Sequence, residues 1–98
     1  MPYEIEFSPN AMHHMRIIEA RDRAVIWAAI REQLQREPMT ETQHRKRMRP
    51  NRFFPWQLSV QNFRVFYDAA ADPPLVIVLA IGIKEHEKVR IGGEVMAL

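Results

Sequence analysis

Between residues 44 and 67 the chain carries Arg45, Lys46, Arg47, Arg49, Arg52 and Arg64 and no carboxylate, a net +6, whereas residues 1–43 and 68–98 each sum to −2. Five of those six cations are arginines. A planar guanidinium forks onto phosphate oxygens, so a run of this kind is built for a polyanion. A solvated loop that merely keeps a small protein soluble would carry charge as well, and the run alone does not separate the two. Other chemistries are easier to exclude. The chain has no cysteine, which removes disulfides and thiolate zinc sites. No glycine-rich phosphate loop, nucleophile elbow or zinc signature is present, so nucleotide hydrolysis, acyl transfer and metalloenzyme readings fall away and no cofactor is expected. His13 and His14 are adjacent in sequence, so on a helix they do not face one another and make no metal pair; no function is assigned to them.

The scaffold for these cations is bounded by size. With 98 residues, 47% hydrophobic and 27% charged, a single domain over residues 1–98 with one modest core is expected, burying roughly two-thirds of its unfolded surface. The longest apolar run, Leu75 to Ile81, is far short of the roughly 20 residues that span a bilayer, and the acidic start resembles no secretory signal. A soluble, cytoplasmic protein with no membrane partner is the expectation.

Tyr3, Ile5 and Phe7 alternate with Glu4 and Glu6, which predicts a half-buried strand. Ser8-Pro9 is a helix start, and a helix is predicted from Pro9 to Glu19. Asp22 is expected to cap a second helix, in which Val25, Ile26, Ala29, Ile30 and Leu34 recur at helical spacing and which Pro38 ends. Trp27, on the flank of that stripe, reads as core edge. The basic run follows as a loop. Phe54, Trp56, Leu58 and Val60 then alternate with Pro55, Gln57, Ser59 and Gln61, and a tight turn at Gln61-Asn62 leads into Phe63, Val65 and Tyr67. Pro55 cannot donate to a ladder, so that strand should begin as an edge or bulge. Leu75 to Ile83, apolar and rich in Val and Ile, is predicted as the central strand. Lys84 to Leu98 contains Gly92-Gly93 and is not assigned regular structure. The sum is an α+β two-layer sandwich, strand-helix-helix-strand-strand-strand, with a mostly antiparallel four-stranded sheet. Helices would cover one sheet face, leaving Gln57, Ser59, Arg64, Phe66 and Lys84 on the open one.

This order, together with Glu41-Thr42-Gln43-His44-Arg45-Lys46-Arg47-Met48-Arg49-Pro50, Trp56-Gln57-Leu58, Phe63-Arg64-Val65-Phe66-Tyr67 and Leu79-Ala80-Ile81-Gly82, resembles the RelE/ParE superfamily of bacterial toxins through nearly the whole chain. The resemblance implies the toxin of a type II toxin–antitoxin pair, whose small antitoxin covers its working face. RelE-like members cut messenger RNA in the ribosomal A site; ParE-like members share the fold and poison DNA gyrase.

Metal-free RNA cleavage needs a base for the 2′-hydroxyl, a cation for the phosphorane-like transition state and an acid for the departing 5′-oxygen. The resemblance places Arg64 in the cation role and Lys84 beside it as a second charge. His86 is the candidate acid or base, histidine being the side chain that titrates near neutrality, and Glu41 with His44 is the alternative base. Arg45, Lys46, Arg47, Arg49 and Arg52 would bind ribosomal RNA phosphates. The strand lysines of RelE itself fall here on Pro55 and Gln57, and its terminal tyrosine near Arg90. These departures make the gyrase inhibitor the alternative, followed by a toxin that has lost catalysis and retains only its antitoxin contact.

Overall fold

The computed structural model describes residues 2–51 and 53–96; Arg52 lies outside that range. Its element order is β1 (Glu4–Phe7), α1 (Pro9–Ile17), α2 (Ala20–Leu34), β2 (Arg45–Arg47), β3 (Trp56–Val60), β4 (Phe63–Ala71), β5 (Pro74–Glu85), β6 (Lys88–Ile91) and β7 (Glu94–Met96). The class is α+β with a mostly antiparallel sheet, as the alternation predicts. The sheet has seven strands rather than four, in the order β2-β3-β4-β5-β6-β7, with β1 pairing parallel to β5.

Strand β5 is central. It pairs with β4 along one side; on the other it pairs first with β1, from Leu75 to Val78, and then with β6, from Gly82 to Glu85. The gap between those two partners is filled by side chains from the helical layer. Ser8 Oγ donates to Leu79 O at 3.0 Å while accepting from Ala11 N at 3.1 Å, so the residue that caps α1 also satisfies the strand. His14 Nδ1 accepts from Ile81 N at 3.1 Å. Buried backbone groups need such partners, and a helix cap and a histidine supply them here.

The helices pack on one face of the sheet. Ala11, Ile26, Ile30 and Leu34 meet Trp56, Leu58, Val65, Tyr67, Val76 and Val78 in the core. Helix α1 stops at Ile17, earlier than predicted, and α2 begins at Ala20 with Glu19 as its N-cap; Asp22 sits in the first turn of α2 rather than at the cap. A carboxylate there still complements the helix dipole. Trp27 is 40% exposed and packs on Phe7, ring centroids 5.7 Å apart, at the core edge.

A bulge sets which side chains share a face. Phe66 pairs with Ala80 and Tyr67 with Val78, so Leu79 is an extra residue and β5 changes parity across it. Before the bulge Val76 and Val78 face the helices; after it Ile81 and Ile83 do. Ala80, Gly82 and Lys84 therefore lie on the opposite face. An extra residue in one strand reverses the face of everything beyond it.

Candidate nucleic-acid interface

Opposed residues in an antiparallel pair point to the same side, and the registers Ser59 with Arg64 and Arg64 with Gly82 put these three on the face away from the helices. Lys84, two residues beyond Gly82, shares it, diagonal to Arg64 at roughly 7–8 Å. Lys46, opposite Gln57, lies on the same face at the β2 edge. The sheet thus brings Arg64, Lys84 and Lys46 to one surface.

Arg64 is held in place by its own hairpin. Its Nη1 donates to Gln61 O at 2.8 Å and to Phe63 O at 2.7 Å. Gln61 adopts a left-handed backbone, φ 55°, which turns its carbonyl into reach. Among the described residues Nε and Nη2 have no acceptor, and neither Asp68 nor Glu85 pairs with the guanidinium: Asp68 accepts from Ala69 N, and Glu85 bridges to Arg90 at 3.0 Å. The edge of the guanidinium that grips a phosphate bidentately is free. Burial lowers the Arg64 pKa from its ordinary value, and a charge partly withdrawn from water acts more strongly on an anion.

His86 occupies the turn between β5 and β6 with φ 58°, exposed, beyond Lys84. No hydrogen bond among the described residues joins Arg64, Lys84 and His86. Glu41 and His44 are both exposed in the approach to β2. His44 O accepts from Ser59 N at 2.8 Å, which sets it across β3 from Arg64, about 9–10 Å away at two strand spacings.

The basic run divides into separate roles. Arg45 is only 8% exposed, and its guanidinium is spent inside the protein: Nε donates to Thr40 O at 2.9 Å and Nη1 to Gln33 O and Oε1. It caps the Gln33 carbonyl at the C-terminal end of α2, where a cation also complements the helix dipole, and ties that end to Thr40 in the following loop. The expectation that Arg45 reaches RNA is therefore corrected. Tyr67 lies in the same region and donates to Pro38 O at 2.6 Å; burial raises its phenol pKa, with the Arg45 charge acting in the opposite direction. Arg47 faces the helical side, its guanidinium 5.8 Å from the Trp56 ring centroid. Arg49 is exposed in the segment that follows.

That segment is ordered by one side chain. Asn51 Oδ1 accepts from Phe53 N at 2.7 Å and Phe54 N at 2.8 Å, while its Nδ2 donates to Arg49 O and Phe54 O, both at 2.8 Å. Phe54, expected beside Trp56 on the helical side, instead stacks on Phe66 across the other face, centroids 4.7 Å apart. Phe66 is thereby fully buried, so the face is not bare. Pro55 explains the difference: with no N–H it leaves the strand to begin at Trp56, and the Asn51 turn is free to rotate Phe54 away. Phe53 remains 49% exposed. Sequence reasoning did not single out the Asn51 turn, although an asparagine two residues before a Phe-Phe pair within an arginine run is a readable turn signal.

No protein-family profile matches the chain, and comparison with curated proteins gives no match. Among the described residues no cluster of His, Asp and Glu could hold a metal ion, and no helix is long and apolar enough to cross a membrane.

Proposed function

We propose that the protein is the toxin of a type II toxin–antitoxin pair, of the RelE-like kind, cutting messenger RNA on the ribosome without a metal ion. The observation that carries this reading is the free Nε–Nη2 edge of Arg64 on a sheet face that also presents Lys84. A guanidinium fixed by two carbonyls costs little reorganisation as charge develops on the phosphorane, and such preorganised donors contribute about 10²–10³ in rate. Lys84 adds a second positive charge, and His86, in the turn just beyond it, is the candidate acid or base. Lys46 and Arg49 supply affinity through ribosomal RNA phosphates, and Arg45 supports them from beneath, while Arg47, turned to the helical side over Trp56, is left out of that surface. A small antitoxin with acidic and apolar side chains would cover this face.

One feature favours a second reading. Gln57 and Pro55 stand where RelE itself carries lysines, so the face has fewer cations around the scissile phosphate than that enzyme. A ParE-like gyrase inhibitor needs none there. The test is a purified translation system with primer extension across the A-site codon, run beside a gyrase supercoiling assay. The RelE-like reading predicts A-site cleavage that Arg64→Ala reduces at least 100-fold, on the scale of one lost transition-state donor. Blocked supercoiling with uncut message would replace it by the gyrase reading, and absence of both activities would leave antitoxin binding alone.

A further inference from the structure

At the end of the sheet bordered by β2 and β3 lies a cavity of about 280 Å³ whose walls include Arg47, Arg49, Asn51, Phe53 and Phe54. We infer that this cavity receives a single unpaired nucleobase, stacked on Phe53, of a single-stranded nucleic acid whose adjoining phosphate lies on Arg49. The inference rests on the nucleic-acid reading of the open face and deepens it by naming a subsite that the catalytic groups do not need.

Three observations converge on a base. The volume lies just below the roughly 300–1,000 Å³ of sites for drug-sized ligands, suiting one planar heterocycle. The walls combine aromatic rings with guanidinium groups, and a polynucleotide is the polymer that repeats a π-face and an anionic group at every unit. The segment from residue 44 to 67 offers no carboxylate to repel it. An acidic peptide would satisfy the arginines and leave the exposed Phe53 ring without a flat partner.

The Asn51 amide adds a prediction about selectivity. Its oxygen and nitrogen are both consumed in hydrogen bonds within the loop, so it has no spare donor or acceptor for a base edge. It preorganises the platform, which lowers the cost of binding, and leaves recognition to stacking. Stacking tolerates every base. The subsite should therefore hold a strand in place without setting its sequence.

The experiment uses the full chain and fluorescein-labelled U10, A10 and T10 oligonucleotides, with a 10-bp RNA duplex as comparison, read by fluorescence anisotropy over a salt series. Wild-type protein should bind U10 and A10 within a few-fold of each other. Phe53→Leu, which keeps an apolar side chain, should weaken both about 5- to 150-fold, the range of one lost stacking contact, and Phe53→Trp should restore them. Arg49→Ala should reduce the salt slope by about 0.7, whereas Phe53→Leu should leave that slope unchanged. Equal U10 affinity in wild type and Phe53→Leu overturns the inference, as does the same Phe53 sensitivity toward the duplex or toward a ten-residue glutamate peptide. Phe53-dependent binding without A-site cleavage leaves the subsite standing and defeats the nuclease reading. Cleavage with no Phe53 dependence in the oligonucleotide assay does the reverse.

Discussion

Replacing Arg45 by methionine separates an arginine that builds the protein from those proposed to serve a ligand. The side chain is 8% exposed and donates to Thr40 O and to Gln33 O and Oε1. Hydrogen bonds from a charged donor contribute about 1.5–3 kcal/mol each. Thr40 is exposed, so its carbonyl can rehydrate in the variant, and the full loss falls on Gln33 at the end of α2. Methionine keeps most of the buried stem. The net cost is about 3 kcal/mol, and at about 4–8 °C per kcal/mol for a domain of this size the melting temperature should fall by roughly 12–24 °C. Thermal and urea unfolding followed by circular dichroism measures it, with Arg49→Met as the surface control expected within about 0.5 kcal/mol of wild type. Below its melting temperature Arg45→Met should bind U10 with wild-type affinity. An Arg45→Met protein that melts with wild type but binds U10 poorly would refute the assignment.

His14 should make stability depend on pH. Burial first, and the neighbouring His13 charge second, lower its pKa from 6.5, so the unfolded chain binds the proton more readily; stability is fully present above pH 6.5 and is lost as pH falls below it. Urea titrations at pH 7.5 and 5.0 should show a gap that His14→Asn, which keeps an acceptor for Ile81 N, narrows; an unchanged gap would reject the role. At Gly82 an added Cβ would lie 2.6 Å from Val89 Cγ1, 2.9 Å from Ile91 Cγ1 and 3.1 Å from Arg90 O. Gly82→Ala should therefore cost about 1–3 kcal/mol and speed amide exchange in β6, leaving the core strands protected; uniform loss of protection would count against this account. Ser8→Ala should cost about 1 kcal/mol through the lost cap, with faster exchange in the first turn of α1 as its signature.

The class of fold was legible because its signals are local. Alternation at Tyr3-Phe7 and Phe63-Tyr67, the Ser8-Pro9 start and the apolar run from Leu75 lie in the elements they predict. The missing strands had weaker signals. Strand β2 is three cationic residues paired on one side, the composition that guards an edge rather than announces a strand. In the tail, Gly92-Gly93 reads as a breaker, yet with φ of 58° and 89° the pair forms the turn between β6 and β7, and the alternating Lys88-Val89-Arg90-Ile91 before it was the available clue. The site divides the same way. Arg64 and Lys84 share the face that alternation gives them, but for Lys84 this holds only because the bulge at Leu79 shifts β5 by one, which no spacing rule locates. The burial of Arg45 was hidden because a local sequence shows charge and not which carbonyls lack partners. Those carbonyls, of Gln33 and Thr40, belong to an earlier part of the chain.

The most direct test of the proposed nucleic-acid interface is an NMR titration of the isotope-labelled chain with unlabelled U10, read residue by residue. The largest shifts are predicted at Arg64, Phe66 and Lys84 and at Arg49, Asn51, Phe53 and Phe54, with the outer surface of α2, around the exposed Arg31 and Glu32, unchanged. Shifts gathered on α2 and absent from β4 and β5 would contradict the account at its foundation.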